Sequence, residues 1–221
     1  MKIAFLLPAY NEEKNISAVI QDLPADKKDI IVIDDGSKDK TVSIVEKTGV
    51  VLIKHKQNMG KGAAHQNGFD YAIKHGYDYV ITLDSDGQHK PQESKRFIRQ
   101  LEKNNRPDII IGTRAYSMKN MPILRFLTNL TTSFIVSLLA HSRIRDSQSG
   151  YRAISTEVLK KVKLTTSNYQ TESEILIKLG RMGYKIGEVP ITIIYGVSES
   201  KINPIIDAWR FVQLTFKSIW R

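Results

Sequence analysis

The chain has 221 residues, 41% hydrophobic and 25% charged, a globular balance that excludes disordered and fibrous classes and predicts one large domain or two small ones. It has no cysteine, which excludes a disulfide framework and thiolate-held zinc or iron–sulfur centres and fits a reducing compartment. Basic residues number 33 against 23 acidic ones, and the net charge of +10 points to an anionic partner: nucleic acid, a phosphorylated ligand or a membrane surface.

The first apolar run, 3–7, follows a single Lys2 and resembles the core of a secretion signal. It is too short for one, and Pro8 and Asn11-Glu12-Glu13 follow with no small-residue cleavage site, so it reads as a buried strand. Further β-branched-rich runs lie at 30–33, 50–53, 79–83 and 108–111. Between them, 12–23, 38–47, 61–75 and 92–103 carry apolar residues at helical spacing. Strands alternating with helices of that length predict parallel βαβ units: an α/β fold with a mostly parallel sheet and helices on both faces. Asn11, Ser37 and Gly60 stand where strands give way to helices, and Asn and Ser there are N-cap candidates. After Arg114 the rhythm breaks into an amphipathic helix at 121–140, a polar loop at 145–152 and helices near 155–162 and 171–182. A strand at 185–195 and a last helix at 204–220 complete the chain, with no repeat or linker, so a single domain over 1–221 is expected. No uncharged apolar run reaches the roughly 18–20 residues of a spanning helix.

In open parallel sheets ligands bind beyond the carboxyl ends of the strands. All five early strands lead there into polar segments: 8–13, 34–41, 58–62, 84–88 and 112–114. Asp84-Ser85-Asp86 is the most informative, because two carboxylates two residues apart beyond a strand can turn toward one hard cation. Gln88 can add a neutral oxygen; the competing reading is a solvated Asp-x-Asp-Gly turn. Asp34-Asp35-Gly36-Ser37 reads either as a helix cap with acidic flanks or as a hold on a ribose or base N–H. Gly60-Lys61-Gly62 suggests close backbone approach to phosphate, but it matches neither the Walker loop nor the dinucleotide fingerprint. The five histidines, at 55, 65, 75, 89 and 141, show no ligand spacing and read as surface or capping residues. No Gly-x-Ser-x-Gly elbow marks a serine hydrolase.

Together with Pro8-Ala9-Tyr10-Asn11-Glu12, Gly112-Thr113-Arg114, Asp146, Ser149-Gly150-Tyr151-Arg152, Gln170 with Glu172, Glu188-Val189-Pro190-Ile191 and Ser200-Lys201, these motifs form an ordered set. The set resembles an inverting family-two glycosyltransferase with the type-A nucleotide-sugar-binding fold, nearest the polyprenyl-phosphate (dolichyl-phosphate) mannosyl- and glucosyltransferases. The resemblance implies a Rossmann-like nucleotide-binding half over 1–115 and an acceptor half over 116–221. It implies that Pro8, Tyr10, Glu12 and Asp35 hold the nucleoside, with Lys61 and Asp84 completing the nucleotide site. Asp84, Asp86 and Gln88 would bind Mg²⁺ or Mn²⁺; Asp86, Arg114, Arg125 and Lys201 would serve catalysis, the basic three facing donor and acceptor phosphates. Many relatives carry C-terminal transmembrane helices, which are not found here, and the Gln-x-x-Arg-Trp of processive synthases is absent.

The function so implied is metal-dependent transfer of a hexose from a nucleotide-diphosphate sugar to a polyprenyl phosphate at an anionic membrane surface. The expected location is cytoplasmic and peripheral, on the inner face of the membrane. A lipid-phosphate acceptor is already an anion and needs cationic positioning rather than a strong base. The alternative acceptor, a saccharide hydroxyl in surface polysaccharide assembly, needs a carboxylate base, and Asp146, Glu172 and Glu174 are the candidates. A third reading is a non-catalytic basic nucleic-acid-binding protein, but no nucleic-acid-binding signature appears and none is expected as partner. Basic residues flanking 121–145, and Trp, Phe, Ile and Val interleaved with Arg210, Lys217 and Arg221 in the tail, fit interfacial helices. Core packing of both helices is the competing account.

Overall fold

Apolar side chains alternating along each early strand are buried on both sides of the sheet, which is why the runs read as continuously hydrophobic. Ala4 and Leu6 join Ile31, Ile33 and Val80 in one layer, while Phe5 and Leu7 join Ile30, Val32 and Ile81 in the other. The computed structural model describes residues 1–114, 123–194 and 204–219. Its strands are β1 (Ile3–Ala9), β2 (Ile30–Asp34), β3 (Val51–Lys54), β4 (Tyr79–Thr82), β5 (Ile109–Thr113), β6 (Arg152–Ser155) and β7 (Ile186–Pro190). Its helices are α1 (Ile16–Asp22), α2 (Thr41–Glu46), α3 (Lys61–Lys74), α4 (Ser94–Leu101), α5 (Ile123–Leu139), α6 (Thr156–Leu159), α7 (Gln170–Arg181) and α8 (Pro204–Ile219).

The strands form one sheet in the order β3-β2-β1-β4-β6-β5-β7. All pairings are parallel except those of β6, which runs antiparallel to β4 and β5. The layer containing Leu6 packs on Phe69 of α3, Val136 of α5, Leu176 of α7 and Leu214 of α8. The opposite layer packs on Ile16 and Ile20 of α1, Val45 of α2 and Phe97 of α4. The expected mostly parallel sheet with helices on both faces is thus observed.

Three expectations are corrected. The strand β6 was read as the end of a polar loop and the start of a helix, because it has four residues and begins with an arginine. Arg152 is nonetheless 2% exposed and donates to the carbonyls of Ser147, Ser149 and Glu172, so its charge is carried inward on hydrogen bonds. The helix expected near 155–162 is a single turn. Asn11 and Ser37 are not N-caps: the first residues outside α1 and α2 are Asn15 and Lys40, neither with a side-chain cap bond. The chain instead makes loops there, and Asn11 takes a left-handed φ of 52°.

Candidate functional site

Strand β1 has β2 on one side and β4 on the other, so the loops leaving β1 and β4 diverge and open a crevice at the carboxyl edge of the sheet. Because β6 is antiparallel, its amino-terminal end lies at this same edge and brings the 146–150 loop against the β4 loop. Thr82 Oγ1 donates to Gly150 O at 2.7 Å, and Ser85 Oγ donates to Pro8 O at 2.7 Å, tying β4's exit to both neighbours.

One wall of the crevice is a zipper between the loops after β1 and β2. Asn11 N donates to Ser37 Oγ, Lys38 N to Asn11 Oδ1, Glu12 N to Thr41 Oγ1 and Glu13 N to Asp39 Oδ2, all at 2.8–3.1 Å. Asp39 also accepts from Thr41, and these bonds outweigh burial to hold its carboxyl below the usual range. The polar residues of 34–41 are therefore largely occupied in fixing the shape of 10–13. Gly36, at φ +76°, lets the Gln57–Asn58 backbone approach where a Cβ would stand 2.6 Å from Gln57 C.

Asp35 is buried beneath this wall. Its Oδ1 accepts from Met59 N at 2.8 Å and lies 2.7 Å from His55 Nδ1, while its Oδ2 accepts from Gly60 N at 2.8 Å. In this arrangement Asp35 anchors the 58–60 turn. The glycines at 60 and 62 were read as making room for phosphate; what approaches them is the 167–168 backbone and the Asn168 and Thr171 side chains. Ala63 N accordingly donates to Ser167 O at 3.1 Å.

At the floor, Lys61 Nζ lies 2.6 Å from Asp84 Oδ1 and 2.7 Å from Glu172 Oε1. Burial disfavours the ammonium, but the two carboxylates outweigh it and raise its pKa above the ordinary value. Burial likewise opposes the Asp84 charge, and Lys61 overrides it to bring that carboxyl down to about 2. Asp86 is pushed up to about 6 by burial and then by the negative charge of Asp84, with Glu12 adding to the effect. Gln88 N donates to Asp86 Oδ1 at 2.9 Å. The Asp84 carboxylate rests on Gly150, where a Cβ would lie 2.7 Å from Oδ2.

Beside the floor, Arg114 grips Asp146 through two guanidinium bonds of 2.6 Å, Nε to Oδ2 and Nη2 to Oδ1. These bonds overcome burial and keep the Asp146 carboxyl below its usual range. Glu174 is on the far face of α7, where Lys178, Thr165 and Thr166 donate to its carboxylate. Each of the three carboxylates considered as a base is thus held by a cation.

The structure gathers Pro8, Glu12, Lys61, Asp84 and Asp86 at the crevice, and places Arg114 in the Asp146 pair. Tyr10 lies in the β1 loop between them. Arg125 falls in α5 with its side chain outside the described residues, and Lys201 lies outside them altogether. Three of the five histidines are not surface residues: His55, His65 and His89 have buried side chains. Burial lowers His65 to about 3 and His89 to about 4, so both rings are neutral at physiological pH. Sequence spacing shows only half of this: Lys61 stands one turn before His65 in α3 and Asp84 five residues before His89, but Asp84 reaches His65, and Lys61 reaches His89, from a different element. The placement of Gly150 against Asp84 was also missed, since it depends on the antiparallel β6.

Among the described residues no three His, Asp or Glu side chains converge as a ready-made metal cage. The donors present are two carboxylates and an amide on one turn, with the higher-pKa carboxylate uncompensated by any ion pair among the described residues. That set fits Mg²⁺ or Mn²⁺, which take one or two carboxylates and complete their shell with phosphate oxygens and water.

Residues 5–163 match the family described as Glycosyl transferase family 2. The UDP-N-acetylglucosamine–dolichyl-phosphate N-acetylglucosaminyltransferase of Methanococcus voltae is 38% identical over 216 residues, covering 87% of this chain and 86% of that protein. The polyprenol monophosphomannose synthase of Mycolicibacterium smegmatis is 29% identical, over 85% of this chain and 75% of that one. Among solved structures, glucosyl-3-phosphoglycerate synthase from Mycobacterium tuberculosis, crystallised with Mn²⁺, UDP and glucosyl-3-phosphoglycerate, superposes with a TM-score of 0.75. It is 21% identical, over 99% of this chain and 78% of that one, a likeness of fold.

Proposed function

Because the chain belongs to glycosyl transferase family 2 and is a glycosyltransferase, we propose that it moves a hexose from a nucleoside-diphosphate sugar to a polyprenyl phosphate, with inversion. Its similar relatives are named as transferases of sugars to dolichyl, polyprenyl or undecaprenyl phosphate, which supports this acceptor class. The observation that carries the reading is the state of the three internal carboxylates. Asp146 is clamped by Arg114, Glu172 by Lys61 and Glu174 by Lys178, so none is positioned to take a proton from a sugar hydroxyl. A phosphate monoester acceptor has no such proton to lose. Its oxygen attacks the anomeric carbon from the face opposite the diphosphate, the bond from that carbon to the diphosphate oxygen breaks, and the nucleoside diphosphate leaves with the electron pair.

In this reading Asp84, Asp86 and Gln88 hold a divalent ion, which supplies charge neutralisation for the departing diphosphate. Residues 1–115 present the donor side and 116–221 the acceptor side. The zipper of 10–13 with 34–41 fixes the wall against which the nucleoside stacks, and Asp35 keeps the 58–60 turn beneath it in register. Lys61 neutralises Asp84 in the metal-free protein, and its ammonium would be released toward the arriving diphosphate once that carboxylate holds a divalent ion. Lys201 and Arg125 are retained as proposed phosphate contacts.

The acceptor half carries the membrane argument. Each of α5 and α8 buries one face, through Val136 and through Leu214, and exposes an apolar stripe on another. Phe134 and Trp209 are each 63% exposed, with Leu130, Leu138, Val212 and Phe216 beside them. Core packing accounts for the buried faces, and the exposed stripes support the interfacial reading. No described helix is long and apolar enough to cross a membrane. We place the two stripes in the headgroup region, peripheral to the bilayer.

The test is a product assay with UDP- and GDP-hexoses, Mn²⁺ and matched acceptors. Polyprenyl phosphate should yield a glycosyl phosphate lipid, while polyprenol and free saccharides should yield no product. Equal transfer to polyprenol would defeat the reading.

A further inference from the structure

The face of α7 that bears Gln170, Glu174, Lys178 and Arg181 is turned roughly 120–180° from Glu172, because residues advance about 100° each around a helix. On this far face a cavity of about 490 Å³ opens between α7, the 161–167 segment and α8. Its lining includes Lys161, Lys163, Lys178, Arg181, Arg210 and Lys217, against a single carboxylate, Glu174.

That carboxylate is already spent. It accepts from Thr165, Thr166 and Lys178, and Lys178 also donates to Lys163 O. Arg181 is directed to Leu139 O at 2.8 Å. Lys161, Lys163 and Lys217 have no carboxylate within ion-pair distance among the described residues. Gln170 Oε1 is buried in the lining without a hydrogen-bond partner, and a half-turn of its amide presents N–H groups to the cavity instead.

Like charges gathered around a concavity repel one another, so this arrangement costs stability unless an anion enters it. The setting narrows the ligand. Arg210 and Lys217 line the cavity from α8, and the exposed Trp209 and Phe216 lie about a third of a turn around the same helix. An anion seated here therefore sits beside an apolar stripe of the kind that rests at a headgroup boundary.

We propose that this cavity is a second anion site, separate from the crevice at the carboxyl edge of the sheet, and that it takes a phosphate-bearing ligand. Its position beside the α8 stripe favours the headgroup of an anionic bilayer lipid over a free polyphosphate. The site shares with the proposed function only the membrane setting of α8 and does not depend on which sugar or acceptor the crevice uses.

The experiment compares the intact protein, a Lys163→Gln/Lys217→Gln variant and a Lys27→Gln/Lys28→Gln control, whose lysines lie in the turn before β2. Sedimentation at low salt uses phosphatidylcholine vesicles with and without phosphatidylglycerol, and calorimetry uses sodium tripolyphosphate. Each lysine near an anionic surface contributes about 1 kcal/mol, so the cavity variant should lose about 30-fold in partition to phosphatidylglycerol vesicles. The control, whose lysines do not line the cavity, should change by about twofold at most. That pattern assigns the headgroup as ligand. Loss of tripolyphosphate binding in the cavity variant alone, with vesicle binding unchanged, assigns a free polyphosphate to the same cavity. Equal loss in both variants means diffuse surface charge and overturns the site, as does failure of the intact protein to bind either probe. Transfer to detergent-dispersed acceptor is measured in parallel: if it persists while both probes fail, the inference falls and the proposed function stands.

Discussion

Replacing Gly150 by alanine puts a methyl group where the Asp84 carboxylate now rests. The added Cβ would stand 2.7 Å from Oδ2 and 2.8 Å from Oδ1, whereas ordinary contact begins near 3.4 Å. One of the two must therefore move by about 0.7 Å, the difference between that contact and the shorter distance. Gly150 is not free to retreat, because its carbonyl accepts from Thr82 and the next residue, Tyr151, is tied to Gly112 N just before β6. Asp84 must give way, and its pair with Lys61 at 2.6 Å opens with it. A displacement approaching 1 Å at a reacting centre costs on the order of 10²-fold in rate, or about 2.7 kcal/mol in the barrier. Overpacking adds roughly 1–3 kcal/mol of destabilisation, a fall of about 2–4 °C in Tm for each kcal/mol at this chain length. The assay is Mn²⁺-dependent binding of a nucleoside diphosphate by calorimetry, alongside single-turnover transfer and a melting curve. The expected result is a folded protein with slightly lower Tm, weakened Mn²⁺-dependent binding and a rate reduced about 10²-fold. A Gly150→Ala protein with unchanged metal-dependent binding and rate would refute the placement of Asp84 at the working centre.

Asp86→Asn should abolish Mn²⁺-dependent nucleotide binding yet raise the stability of the metal-free protein by up to about 3 kcal/mol at neutral pH. It removes a buried charge whose pKa is pushed to about 6 by burial and by Asp84, and urea unfolding measures the gain. In metal-free protein, His65 and His89 have folded pKa values lowered to about 3 and about 4, so below about 6.5 the unfolded chain binds their protons first and stability falls with pH. Asp86 acts in the opposite sense, its raised pKa giving the folded state the extra proton between about 4 and 6. The net uptake is about one proton on unfolding in that window, so unfolding free energy should drop by roughly 1.4 kcal/mol per pH unit between pH 6 and 4; a flat profile contradicts buried neutral histidines. Trp209→Glu with Phe216→Glu should leave Tm and transfer to detergent-dispersed acceptor near the parent values while reducing vesicle binding, because both side chains are solvent-exposed. Unchanged vesicle binding would remove α8 from the membrane contact.

The parallel half was legible because its physics is local. Runs such as 30–33 are buried on both faces, and the helices between them carry their own periodicity. The carboxylate turn after β4 was legible for the same reason: position after a strand dictates which edge it occupies. What could not be read was pairing across elements. The four residues of β6 give too short a run to show a period, and Arg152 at its start conceals a buried strand. Without β6, nothing in the sequence puts Gly150 on Asp84 or turns the 146–150 loop into the crevice. Ser37, Asp39 and Thr41 fasten 11–13, a loop some thirty residues earlier, and this pairing is not visible in the spacing of 34–41. Gly60 and Gly62 follow the same rule: spacing revealed that something approaches the backbone, and only the folded chain shows that it is the 167–168 segment.

The central claim is that Asp84 and Asp86 together hold a divalent ion against the donor's diphosphate. Anomalous diffraction at the manganese edge, from crystals grown with Mn²⁺ and a nucleoside diphosphate, tests it most directly. The account predicts a single peak within coordination distance of both carboxylates, with Lys61 drawn away from Asp84. A manganese ion held by the diphosphate alone, with Lys61 still seated on Asp84, would contradict it.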